Sequence, residues 1–268
     1  MWWPSFFAFL IFCLLSSTSY ILNDIIDYPY DRKHPYKKNR PIAAGEISIP
    51  EATFVVFILT LISLVIALLF SIPFFLLCLF FILLHFFYSL QLKKHPLIDI
   101  FTISFSFMLR TFGGEIVTGY HIPIWLLLTI FFVSLFMATV KRHAELVSQG
   151  RETRESLSFY KEHLLDFLTT TFATITIIAY SFYTYFEKIP TAKTFFSDFF
   201  SRFYPDFEAR KLMMITIPLV VYGVARYAQL LYEREQGERP EKIITTDKPL
   251  VITMGLWAVI TILLIYVL

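Results

Sequence analysis

The chain has 268 residues, 57% of them hydrophobic, 19% aromatic and only 16% charged, with a mean hydropathy of +0.65. A soluble domain carries roughly 25% charged residues, so this composition excludes an ordinary soluble enzyme and a disordered chain. The near balance of 23 Lys plus Arg against 21 Asp plus Glu, formal charge +2, lacks the clustered basic excess of a nucleic-acid binder. Cys13 and Cys78 both lie in apolar runs, which excludes a disulfide framework and a cysteine metal cluster.

A helix crosses the hydrocarbon core with about 20 apolar residues, each rising about 1.5 Å. Eight stretches meet that length: 2–22, 51–70, 72–91, 97–118, 123–141, 164–186, 211–232 and 249–267. The reading is an all-α polytopic transmembrane bundle, one domain over 1–268. Prolines 4, 50, 73, 96, 123 and 249 stand at or near their starts, where a missing N–H is harmless. The first stretch lacks a basic n-region and runs into a polar motif, so it reads as a retained helix rather than a signal peptide. Sixteen of the 23 Lys and Arg fall in or beside the connections at 23–50, 92–96, 142–163 and 233–248, which places those loops in the cytoplasm and both termini outside. The connection at 187–210, with Phe195, Phe196, Phe199, Phe200, Phe203 and Tyr204, reads either as an amphipathic segment in the outer interface or as a plain hydrophobic loop.

The first stretch ends in Asn23-Asp24-Ile25-Ile26-Asp27-Tyr28-Pro29-Tyr30-Asp31. On a helix Asp24, Asp27 and Asp31 share one face, and three carboxylates there repel one another unless a cation neutralises them. Oxygen ligands of this kind, Asn23 included, suit Mg2+, which also binds substrate phosphates. Pro29 is expected to break or kink the helix near Asp27, bringing Asp31 in from a loop. The basic run that follows, with Lys37, Lys38 and Arg40, supplies cations for phosphate oxygens that the metal leaves free; the bland alternative for Lys37 and Lys38 is a loop obeying the positive-inside rule. In the next long cytoplasmic stretch, Lys141-Arg142-His143-Ala144-Glu145 offers a single acid among two cations, suited to anionic oxygens rather than to a second metal. Arg110 and Arg226 lie in apolar spans. Arg110 is expected in a structural ion pair before substrate contact, although Glu115 at i+5 is poorly placed; Arg226 either contacts phosphate or snorkels.

Asn23-Asp24-x-x-Asp27-x-x-x-Asp31, with Arg40-Pro41 and Gly45 downstream, resembles the first signature of the UbiA superfamily of intramembrane prenyltransferases. Tyr88-Ser89-x-x-Leu92-Lys93, then Leu97 and Asp99, fits the same superfamily. Its aromatic prenyltransferases carry a second Asp-x-x-x-Asp motif, which this chain replaces by Lys141-Arg142-x-x-Glu145-Leu146, then Arg154, Ser156-Leu157 and Tyr160. That pattern, and Arg226-Tyr227, Gly237, Pro240-Glu241, Asp247 and Leu250 in the tail, resembles the decaprenyl-phosphate phosphoribosyltransferase-like branch. The resemblance implies phosphoribosyl pyrophosphate as donor, a polyprenyl phosphate as acceptor and a cytoplasmic site in a bacterial inner membrane. It also implies a downstream role in cell-wall glycan synthesis. Asp24, Asp27 and Asp31, with Asn23, would hold Mg2+; Lys37, Arg40, Lys93, Lys141, Arg142, Glu145, Tyr160 and Arg226 are candidates for binding substrate. Tyr88, His143 and Asp99 either orient ligands or pack at the interface. Superfamily members usually have nine helices with the first motif ending the second. Here it ends the first, which predicts a chain shortened at its start, or else a natural eight-helix variant. The competing readings are transfer of a prenyl group from an allylic diphosphate to an aromatic or other acceptor, and a transporter or lipid flippase using the acidic mouth as a cation site.

Overall fold

A computed structural model describes residues 2–34, 37–149, 160–187, 209–233 and 245–266. Arg154, Ser156-Leu157, Gly237, Pro240-Glu241 and the aromatic segment Phe195–Tyr204 lie outside the described residues. Among the described residues nine α-helices follow in order: α1 (Trp2–Asp31), α2 (Pro41–Ala44), α3 (Ile49–Phe70), α4 (Ile72–Leu90), α5 (Ile98–Thr118), α6 (Ile124–Gln149), α7 (Glu162–Phe186), α8 (Ile217–Glu233) and α9 (Lys248–Tyr266). Short 3-10 turns at Lys37–Asn39, Leu92–Lys94 and Ala209–Thr216 punctuate them, and no strand occurs among the described residues. Eight segments among the described residues are long and apolar enough to cross a membrane: α1, α3 to α7, α9, and Leu212–Leu230, where the 3-10 turn runs into α8. They match the eight stretches expected from hydropathy.

Two helices run further than expected. At 30 residues α1 is about 45 Å long, well over the ~30 Å hydrocarbon core. The helix continues through Pro29 instead of breaking there. A proline this close to a helix end removes one backbone bond only, and the chain leaves through tight turns, Lys33 N–H to Tyr30 O at 3.1 Å and His34 N–H to Asp31 O at 3.1 Å. Likewise α6 continues to Gln149, which puts Lys141–Glu145 on a helix rather than in the loop expected from 142 onward.

The helices gather in two compact units, α1–α5 and α6–α9. In the first, α1 packs against α3, α4 and α5. Its buried stripe is Ala8, Ile11, Phe12 and Leu15, spaced i, i+3, i+4 and i+7, and it meets Ala67, Phe74, Cys78, Phe81, Ile82 and Leu109. Phe12 sits edge-on to Phe74 at 6.0 Å and to Phe81 at 5.4 Å between ring centroids. Ser48 and Glu51 close a capping box at the start of α3, with Ser48 N–H donating to Glu51 Oε2 at 2.9 Å. In the second unit α6 packs on α7, and α7 on α8. Trp257 Nε1 donates to the Tyr180 hydroxyl at 2.7 Å, which lies 2.6 Å from Thr216 Oγ1, so one buried chain of polar groups ties α9, α7 and the turn before α8.

The approach of α5 to α1 depends on Gly113. A Cβ there would stand 2.4 Å from Phe12 Cε2 and 2.8 Å from Phe12 Cζ, whereas Gly114 has nothing within 4 Å. Gly113→Ala is therefore expected to destabilise the first unit by about 1–3 kcal/mol through overpacking, seen as a lowered thermal midpoint in detergent. Gly114→Ala is expected to leave the midpoint unchanged or raised, and equal behaviour of the two variants would contradict the packing described.

Candidate active site

Because α1 remains helical to Asp31, all three aspartates project from one face at i, i+3 and i+7. Two cations meet them. Arg40 Nη1 donates to Asp24 Oδ1 at 2.6 Å and to Asp31 Oδ2 at 2.8 Å, bridging two carboxylates with one nitrogen. Lys93 Nζ donates to Asp27 Oδ1 at 2.5 Å and to Asn23 Oδ1 at 3.0 Å, while Asn23 Nδ2 donates to Asp27 Oδ2 at 2.9 Å. Arg40 and Lys93 are the cations in direct contact with the three carboxylates, and Lys37 adds its positive field at Asp24. Asp31 is buried, 3% exposed, and Asp24 and Asp27 are half-buried, so the repulsion is poorly screened by water.

Local sequence explains how each cation arrives. Arg40 is the N-cap of α2, Pro41 opens that single turn, and Gly45 closes it in the left-handed region at φ 82°. A proline pre-set for helix and a glycine free of the Cβ penalty thus fold Arg40-Pro41-x-x-x-Gly45 back onto α1. Lys93 sits in the 3-10 turn between α4 and α5, and that connection closes on Leu97 at φ 67°, a backbone region costly for leucine. Lys37 lies in the turn before α2, its N–H donating to His34 Nδ1 at 3.2 Å. Asp99 is fully buried at the start of α5 and accepts from Ile100 N–H at 2.8 Å. Arg40 and Lys93 were expected on phosphate; here they are the counter-ions of the acids.

The donor set fits a Mg2+ ion held jointly with a diphosphate. Among the described residues no three carboxylates, thiols or imidazoles converge on one point, so a metal cage made by the chain alone is not built. Mg2+ is usually bound by one or two carboxylates together with substrate phosphates and waters. The Arg40 nitrogen shows that a single cationic centre reaches Asp24 and Asp31 at once.

The second unit commits its cations differently. Arg142 is buried, 2% exposed, and pairs with Glu145 one turn on. His143 Nε2 lies 3.3 Å from Asp166 Oδ1, joining α6 to α7 through an acid the sequence gave no reason to single out. Tyr160 is fully buried just before α7. Lys141 is half-buried beside them on α6. Arg226, expected on phosphate or at the interface, makes a two-pronged pair with Asp247, Nε to Oδ1 at 3.2 Å and Nη2 to Oδ2 at 2.8 Å. Asp247 also accepts from Leu250 N–H at 3.0 Å, capping α9, so the pair fastens α8 to the start of α9. Both residues stand in the tail pattern, but nothing local in the sequence shows that they meet.

Arg110 is not in the expected ion pair. Its Nη2 donates to Ser16 Oγ at 3.1 Å and its guanidinium stacks over Phe81 and Phe107, while Glu115 instead meets His121 at 3.0 Å.

A family model described as the UbiA prenyltransferase family matches residues 1–152, more than half the chain and all of this acidic site. The chain belongs to the UbiA prenyltransferase family. It is similar to the decaprenyl-phosphate phosphoribosyltransferase of Corynebacterium glutamicum, 29% identical over 265 residues, 97% of this chain and 75% of that one. The enzyme of the same description from Mycolicibacterium smegmatis is 31% identical over 255 residues, 93% of this chain and 76% of that one. The fold is that of a UbiA homolog from Archaeoglobus fulgidus solved with GPP and Mg2+, at TM-score 0.72 and 20% identity, covering 98% of this chain and 87% of that one. A UbiA homolog from Aeropyrum pernix in its apo form aligns at TM-score 0.65 and 14% identity, covering 93% and 86%. With its eight apolar helices this UbiA member is an integral membrane protein and a transferase, and the transporter reading is set aside.

Arg40→Gln leaves Asp24 and Asp31 facing each other without their shared cation. The variant is expected to unfold roughly 3 °C lower at low ionic strength, the shift that about 1 kcal/mol produces in a chain of this size. Millimolar Mg2+ is expected to recover more of the variant's midpoint than it adds to the wild type. An unchanged midpoint with no Mg2+ response would contradict the bridging role.

Proposed function

We propose that this UbiA member transfers the 5-phosphoribosyl group of phosphoribosyl pyrophosphate to a polyprenyl phosphate at the cytoplasmic face of a bacterial inner membrane, releasing diphosphate. The reading is carried by the three-carboxylate face of α1 with Arg40 and Lys93 in contact with it, a surface suited to a cation that brings diphosphate oxygens with it. The choice of donor is supported by likeness over nearly the whole chain to two decaprenyl-phosphate phosphoribosyltransferases. A physical point agrees. The single acid of the second motif, Glu145, is already tied to Arg142, so that motif offers no second carboxylate pair for a second metal.

In this reading Asp24, Asp27 and Asp31, with Asn23 Oδ1, would hold Mg2+ together with the diphosphate. The ion, when bound, neutralises charge on the leaving group. Arg40 and Lys93 turn from the carboxylates to diphosphate oxygens, where their N–H groups meet the charge that develops as the bond breaks. The bond from the anomeric carbon to diphosphate oxygen breaks, its electron pair leaving with diphosphate. An acceptor phosphate oxygen forms the new bond. A phosphate monoester is largely ionised near pH 7, so no side chain has to remove a proton. Lys37 and Lys141 are assigned to further anionic oxygens, each within its own unit, and Tyr160 to a positioning role. The alternative, prenyl transfer from an allylic diphosphate, uses the same acid face and separates only by its product.

Membranes carrying the chain, given labelled phosphoribosyl pyrophosphate and a polyprenyl phosphate, are expected to move label into the lipid phase, and EDTA is expected to stop it. Asp27→Asn is expected to lower the rate at least about 100-fold while inserting normally, because it removes a carboxylate from the charge-bearing set. Label remaining water-soluble while an aromatic acceptor becomes prenylated would replace this reading by the alternative.

A further inference from the structure

Arg110 stands twelve residues into α5, about 18 Å from that helix's start, within the apolar span. A cation at such depth normally faces an acid or a polar cavity. Here no carboxylate pairs with it among the described residues. It is held by the Ser16 hydroxyl at 3.1 Å and by two aromatic faces, Phe81 at 5.1 Å and Phe107 at 4.8 Å from ring centroids. Arg40, Lys93, Arg142 and Arg226 all meet carboxylates, so Arg110 stands apart from them.

A second polar group lies at the same ring. His85 follows Phe81 by one turn of α4, the two rings 4.5 Å apart. Its Nε2 is buried and has no hydrogen-bond partner. Buried ring nitrogens are ordinarily satisfied. An imidazole in its Nε2–H tautomer and a guanidinium fork thus both neighbour the Phe81 ring, and each carries N–H donors. Ser16 precedes Asp24 by two turns, about 12 Å along the α1 axis, and Ser16, Tyr20 and Asp27, spaced i, i+4 and i+11, follow the stripe that leads to the acids.

We propose that Arg110, with Ser16 and His85, binds the phosphate of the lipid acceptor. This rests on the phosphoribosyl-transfer reading. That reaction needs two anions in one site, a diphosphate at the aqueous mouth and a phosphate monoester whose polyprenyl tail is in lipid. The acid cluster with its two counter-ions suits the first. Arg110, which meets that stripe deeper down at Ser16 and lacks an acid, suits the second, since a guanidinium fork matches two phosphate oxygens. Recognition there makes the acceptor's charge, rather than its isoprenoid tail alone, the selected feature.

The test is binding to the purified full chain in detergent with EDTA and no donor, using farnesyl phosphate, farnesol and dioleoyl phosphatidic acid as probes in calorimetry. Wild type is expected to prefer farnesyl phosphate to farnesol by about 30-fold, the scale of one charge-assisted hydrogen bond. Arg110→Gln is expected to erase that preference while leaving the KM for phosphoribosyl pyrophosphate within about twofold. Arg110→Lys, which keeps the charge, retains part of the preference, and His85→Phe weakens it severalfold. These two variants decide the matter if Arg110→Gln does not fold. A preference that survives in Arg110→Gln overturns the inference, as does phosphatidic acid binding as tightly as farnesyl phosphate, which marks a structural lipid site. Arg110-dependent binding in a chain that transfers no phosphoribosyl group would uphold the phosphate site and reject the reaction.

Discussion

Three carboxylates on the last turns of one helix, in a partly buried setting, repel each other, and everything around the site answers that repulsion. Arg40 spans Asp24 and Asp31, and Lys93 joins Asp27 to Asn23. These contacts fix the path of the chain on both sides. The single turn Pro41–Ala44 exists between a proline and a left-handed glycine so that Arg40 points back at α1. The connection after α4 is tight enough to hold Leu97 at positive φ, and Lys93 is its product. The same pairing accounts for α1 running through Pro29: the buried Asp31 carboxylate is anchored, and the last turn with it.

The chemistry follows from the same balance. Three neighbouring acids attract positive charge, yet the cations already in contact with them oppose a bare metal ion. In the proposed reading a metal arriving with diphosphate would resolve the conflict, because Arg40 and Lys93 would find phosphate oxygens in place of carboxylates. On that reading the site would favour the metal–diphosphate pair over either component. In the second unit the cations of Arg142 and Arg226 are spent differently, fastening a helix turn and a helix start through Glu145 and Asp247.

What the sequence reveals and what it withholds divide along physical lines. The eight spans are legible because burial in lipid requires about 20 apolar residues whatever the neighbours are, and the acid motif is legible because helical spacing alone sets its common face. The resemblance to UbiA proteins on Asn23-Asp24-x-x-Asp27-x-x-x-Asp31 holds up in the family match over 1–152. The pairings are not legible. Arg40 and Lys93 lie 16 and 66 residues from the aspartates they meet, Asp24 and Asp27, and Arg226 meets Asp247 at 21. Their identity as counter-ions depends on tertiary approach rather than local pattern. Pro29 misleads because propensity speaks for an isolated helix, while the anchored Asp31 decides this one. Arg110 misleads similarly: a charge in a span invites an ion pair, and the packing supplies a hydroxyl and two rings.

The most direct measurement of the central claim is the affinity of the purified wild-type chain for Mn2+, used as a Mg2+ reporter by electron paramagnetic resonance, without and with pyrophosphate. Exchange of Arg40 and Lys93 from carboxylate to phosphate predicts weak binding of the ion alone and binding at least about tenfold tighter when pyrophosphate is present. Tight Mn2+ binding that pyrophosphate does not change would mean that the aspartates form a metal site by themselves, and the account of the two counter-ions would be wrong.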